Sequence, residues 1–72
     1  MWRVKVDLSY RVAYLLDERG VAQAATSGVT RSTVGDALAD WGYARVSGSE
    51  WEPVDILNAI DAMQCAVEPI GR

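Results

Sequence analysis

Ser9-Tyr10-Arg11-Val12-Ala13-Tyr14-Leu15-Leu16-Asp17-Glu18-Arg19-Gly20-Val21-Ala22-Gln23-Ala24-Ala25-Thr26-Ser27-Gly28 is the stretch on which the fold turns. Read as strands, Arg11–Asp17 is rich in Val, Tyr and Leu, Asp17-Glu18-Arg19-Gly20 is a turn, and Val21–Thr26 returns beside it. Read as a helix, Ser9 is an N-cap, Val12, Leu15 and Leu16 form a short stripe, and Gly20 is the stop. Two details favour the hairpin. Asp17 and Glu18 would occupy the last helical turn, where the helix dipole disfavours anions, and Val12 and Tyr14 suit a pleated surface.

Upstream, Trp2, Val4, Val6 and Leu8 alternate with Arg3, Lys5 and Asp7, the period-2 pattern of a half-buried strand. Downstream, Val34, Ala37, Leu38 and Trp41 recur at helical spacing. Thr30, Ser32 or Thr33 can cap that helix, Thr33 and Asp36 have capping-box spacing, and Gly42 fits a left-handed stop. Gly35 inside it costs about 1 kcal/mol against alanine, and close packing on the sheet would account for it. A second helix is expected from Ser49 and Glu52 at capping-box spacing and Pro53 in the first turn. Ile56, Ile60, Met63 and Val67 then share one stripe, with Asp55, Asn58 and Asp61 on another face. Pro69 ends it near Val67. The expected fold class is therefore α+β: a small N-terminal antiparallel sheet with strands near 2–8, 11–17 and 20–26, followed by two helices near 32–42 and 53–67. Residues 1–72 form a single domain in this reading, with 68–72 as a frayed tail.

A chain of 72 residues buries only about 60% of the surface that it exposes when unfolded. A single cysteine, Cys65, rules out an internal disulfide, and there is no histidine, which removes the commonest zinc ligand and the usual general base. Lys5 is the only lysine, and Cys65 is expected mid-helix, packed and inert, far from any helix N-terminus that would activate it. No calcium-loop or glycine-rich phosphate-loop spacing occurs. A non-enzymatic protein without metal or cofactor is expected. No apolar run approaches the roughly 18 residues of a membrane span, Met1–Asp7 lacks the build of a secretory signal, and a lone thiol suits a reducing compartment. The expected location is cytoplasmic.

Charge is unevenly spread. Residues 1–46 hold six bases (Arg3, Lys5, Arg11, Arg19, Arg31, Arg45) and five acids (Asp7, Asp17, Glu18, Asp36, Asp40), net +1. Residues 47–72 hold five acids (Glu50, Glu52, Asp55, Asp61, Glu68) against Arg72, net −4. A net acidic chain is a poor partner for a phosphate backbone and a good one for a basic protein surface.

Gly28-Val29-Thr30-Arg31-Ser32-Thr33-Val34, continuing Ala37-Leu38-Ala39-Asp40-Trp41-Gly42-Tyr43, resembles the recognition helix of winged helix-turn-helix regulators, which implies a wing over Ala44–Val54 and helix over 10–19. Against DNA reading, Asp36 and Asp40 lie one turn apart on the exposed side, where phosphates would approach. Arg3–Leu8 followed by Thr30-Arg31-Ser32 resembles ribbon-helix-helix repressors, which implies that the strand pairs with its twin in a homodimer. In size and charge alone the chain resembles phage-encoded inhibitors of host machinery, including anti-CRISPR proteins. The leading expectation is a small acidic protein that binds and blocks a basic, nucleic-acid-handling partner. Its binding residues would be Asp36, Asp40, Tyr43, Glu50, Trp51, Glu52, Asp55 and Asp61, gathered on one continuous face. The alternative is a DNA-binding regulator of winged-helix or ribbon-helix-helix type.

Overall fold

The computed structural model describes residues 1–54 and 62–70. Three strands come first: β1 (Arg3–Asp7), β2 (Val12–Leu16) and β3 (Ala22–Ser27). The helix α1 (Val34–Asp40) follows, then β4 (Tyr43–Arg45), β5 (Glu52–Pro53) and β6 (Ala62–Pro69). All pairings are antiparallel, in the order β3-β2-β1-β6-β4, with β5 also on β6. The result is a mostly-β α+β fold with one short helix among the described residues.

The hairpin reading of residues 9–28 holds, and side chains define both turns. In the β1–β2 turn the Asp7 carboxylate accepts the N–H groups of Ser9 (2.9 Å) and Tyr10 (3.2 Å). In the β2–β3 turn the Asp17 carboxylate accepts from Arg19 N (2.9 Å), Val21 N (3.0 Å) and Gln23 Nε2 (2.8 Å). Donation by the Val21 N–H, more than any other contact, holds the Asp17 carboxyl below its ordinary pKa. Gly20 closes this turn at φ +81°, a conformation that costs glycine nothing.

The second expected helix, 53–67, is overturned. Its start is β5 and its end lies within β6; residues 55–61 lie outside the described residues. Met63 and Val67 satisfy a helical stripe, but Met63, Cys65 and Val67 also satisfy period 2, and all three are buried. Pairing with β1 on one side and with β4 and β5 on the other decides between the two periods. The expected Ser49 cap serves the sheet instead, its Oγ accepting the Ala66 N–H at 3.3 Å. Glu68 and Pro69, expected at the start of a frayed tail, pair with Ala44 and Tyr43, and the Ile70 N–H donates to the Gly42 carbonyl at 2.9 Å. Cys65 sits in a strand, not mid-helix.

Helix α1 lies where expected. Thr33 is its N-cap residue, but the Thr33 hydroxyl accepts the Thr30 N–H at 2.8 Å and makes no bond into the helix. Gly42 follows the helix at φ +83°, the left-handed stop that glycine allows. Val34 and Leu38 face the sheet and join Val4, Val6, Ala13, Leu15, Val29, Met63, Cys65 and Val67 in one core. Among the described residues, Val4, Val6 and Val67 are the larger side chains that are wholly enclosed, so the core that these residues form is thin, and it lies on the sheet face toward α1. Among the described residues, no helix is long and apolar enough to cross a membrane.

Both DNA-binding resemblances lose their structural basis. The helix over 10–19 is replaced by β2. Strand β1 runs between β2 and β6, so it has no edge to offer a twin, and Trp2 stacks inside its own chain on Tyr43.

Candidate functional site

Strands β4 and β5 flank the same edge of β6, and the register shows how they relate. Arg45 lies opposite Val67 and Glu52 opposite Gln64. Seven steps of chain thus span three on β6, and the excess makes residues 46–51 an excursion from the edge. The Val46 N–H bonds the Ala66 carbonyl and the Ser49 N–H bonds the Val46 carbonyl, so the excursion is tied at its base. It returns Trp51 to the edge beside β4.

Between this edge and α1 runs a groove of about 420 Å³. Val34 and Leu38 from α1 and Tyr43, Trp51 and Ile70 from beyond it supply apolar walls, with Arg31 and Arg45 also on the lining. Tyr43 is held by stacking on Trp2, with ring centroids 5.2 Å apart and planes 16° apart, and Trp2 Nε1–H donates to Glu18 Oε1 at 3.3 Å. Trp51 is half-buried against the core. Two aromatic side chains thus flank one concavity, Tyr43 from within β4 and Trp51 from the residue before β5.

Gly35 lies on the groove wall, and a Cβ there would meet nothing within 4 Å. The expectation that Gly35 packs closely on the sheet is therefore corrected. It carries the helix cost of glycine, about 1 kcal/mol, without a packing reason among the described residues.

Of the expected binding residues, the structure brings Tyr43 and Trp51 together. Asp36 and Asp40 are exposed on α1, outside the groove lining. Glu52 pairs with Gln64, whose neighbours Met63 and Cys65 point into the core; Glu52 therefore stands on the sheet face opposite α1. Glu50 and Glu52 share a cleft with Arg3 and Gln64. Asp55 and Asp61 lie outside the described residues. The continuous acidic face is not formed by the described carboxylates, because the sheet separates Asp36 and Asp40 from Glu52. Arg31, Gly35, Leu38, Arg45 and Ile70 were not among the expected site residues. Only Gly35, an expensive residue in a helix, left a readable signal.

Cys65 is 4% exposed, and burial pushes its thiol up to about 11 from 9.0, with Arg45 pulling slightly the other way. Any contribution of this shift to stability is complete below pH 9 and is lost as pH rises towards the folded value. At pH 8 a disulfide reagent should label the native thiol at least about tenfold more slowly than in urea, because the thiolate is the nucleophile; equal rates would mean that the core face of β6 is open. Among the described residues no three His, Cys, Asp or Glu side chains gather to hold a metal. Comparisons of the chain with models of protein families, with curated proteins and with solved structures find no match, and the functional reading rests on the groove and its residues alone.

Proposed function

We propose that this chain is a non-enzymatic binding domain that docks on a basic protein partner of the kind that handles nucleic acid, with the α1–β4 groove as its anchor. The observation that carries the reading is the wall of that groove: Tyr43 and Trp51 on one side, and on the other a helical glycine with open space in front of it. Aromatic side chains held rigidly at a concavity are the usual source of interface affinity. A glycine with no neighbour at its Cβ position among the described residues lets a partner's chain come close to the helix. The net charge of −3, with Asp36 and Asp40 exposed on the same helix, speeds and orients approach to a basic surface. Arg45 adds donors for main-chain carbonyls, which a basic segment carries like any other.

Gly35→Ala separates binding from folding. It should stabilise the domain by about 0.5–1 kcal/mol while placing a methyl group in the groove, and Trp51→Ala should remove an anchor. Retention of proteins from a cell extract, identified by mass spectrometry at low and high salt, is the measurement. A protein held by the wild type should be lost by Trp51→Ala and weakened by Gly35→Ala, and Asp36→Lys with Asp40→Lys should remove most of the salt dependence. Retention of nothing, or of the same proteins by all these variants, rejects the reading.

A further inference from the structure

The sheet face turned away from α1 has an order of its own. Cross-strand register sets Ala25, Tyr14, Lys5, Gln64 and Glu52 side by side in one row across β3, β2, β1, β6 and β5. The next row runs Leu16, Arg3, Ala66 and ends at Ser49, whose hydroxyl accepts the Ala66 N–H, with Glu50 following in the chain. Two cations therefore stand one strand to one side of β6, and two carboxylates stand on its other side. Adjacent strands are about 4.8 Å apart, so Lys5 and Glu52 are separated by roughly 10 Å with Gln64 midway. Arg3, Glu50, Glu52 and Gln64 line one cleft of about 140 Å³ on this face.

We propose that this face is the seam of a homodimer in which two sheets pack face to face about a two-fold axis running along β6, over Gln64. Such an axis lies between the sheets and exchanges the two sides of β6. It carries Lys5 of one copy over Glu52 of the second, and Arg3 over Glu50, and symmetry makes each contact twice. The row of cation, amide and anion is thus its own complement. A wholly anionic ligand would meet Glu50 and Glu52, and a wholly cationic one would meet Arg3 and Lys5; a second copy meets neither conflict. Val12 and Leu16, half-buried, and Tyr14, 36% exposed, continue the face beyond β1 with apolar surface. Sheets packed this way stand about 10 Å apart, a gap that long side chains such as Lys5, Arg3 and Glu52 span. The arrangement also suits a chain whose own helix covers one face of its sheet. The seam leaves the α1–β4 groove open and does not depend on its role.

Charge exchange tests the seam. Sedimentation equilibrium should show wild type as a dimer, with dissociation constant rising at high salt. Lys5→Glu alone sets its new carboxylate against Glu52 of the second copy, and Glu52→Lys alone sets its new ammonium against Lys5; each should raise the constant by at least about tenfold. An equimolar mixture of the two variants should recover dimers, because in the mixed pair one contact is the native Lys5–Glu52 and the other is its charge reversal. Circular dichroism checks that each variant is folded. Should Lys5→Glu at its half-buried position fail to fold, Arg3→Glu and Glu50→Lys, both at exposed positions, give the same readout. A wild type that stays monomeric at about 100 μM, a variant that dimerises as wild type does, or a mixture that fails to recover dimers overturns the proposal.

Discussion

Leu38→Ala is expected to lower the stability of the domain by about 2–4 kcal/mol, and with it the unfolding temperature by roughly 10–20 °C. The reason is the thinness of the core. Leu38 is 3% exposed and, with Val34, is one of two buried residues that α1 contributes. A helix of seven residues is too short to hold itself together in water and depends on the face it buries. Removing the larger of its two anchors leaves a cavity in the core cluster and frees α1 to fray. Small domains have stabilities of about 5–15 kcal/mol, so this one substitution takes a large share. Urea unfolding followed by circular dichroism measures it. A loss below about 1 kcal/mol would mean that the helix is not seated on the sheet as described.

Cys65→Asp is expected to abolish cooperative folding, whereas Gln64→Asp one residue earlier should be tolerated within about 1 kcal/mol. In a strand, successive side chains point to opposite faces; β1 pairs with both residues, Lys5 opposite Gln64 and Val4 opposite Cys65, and β5 adds Glu52 on the other side of Gln64. Cys65 faces the core at 4% exposed, while Gln64 is part-exposed on the other face. A carboxylate at 65 would have to be buried among apolar side chains, with the exposed Arg45 as its nearby cation, and burying a charge in this way costs several kcal/mol. The comparison is best made on dilute protein, since Gln64 lies in the proposed dimer seam. Equal damage from the two substitutions would contradict a strand at this position.

The contrast between residues 9–28 and residues 53–67 shows what could be read in advance. The hairpin is local. The side chains of Asp17 and Gln23 and the positive φ of Gly20 build its turn within six positions of one another, and Val12 and Tyr14 carry the pleated pattern on one side of it. Helix α1 is local too, and its periodic apolar residues and closing glycine mark it. Strand β6 is different. Ala62, Met63, Gln64 and Ala66 are good helix formers, Pro53 and Ser49 imitate a helix start, and the stripe of Met63 and Val67 fits both periods. What makes the segment a strand is β1, some sixty positions earlier in the chain, and no local propensity reports a partner at that distance.

The binding residues divide in the same way. Trp51 and Tyr43 are both among the binding residues expected from the sequence, but that they flank one groove follows from the slipped register of β4 and β5 on β6. The negative balance of the C-terminal third was plain in composition, yet composition carries no direction, and the sheet sets Glu52 on the face opposite α1.

By itself the sequence determined the three N-terminal strands, the turn at Asp17–Gly20 and helix α1 with its stop, because each depends on neighbours within a few residues, and its composition fixed the lack of histidine and of paired cysteines. Only the tertiary structure decided that β6 is a strand, that β1 is central, and which side chains share a groove or a face. Those features exist only once distant segments exchange backbone hydrogen bonds, and the cost of bringing such segments together is repaid by contacts that no short window contains.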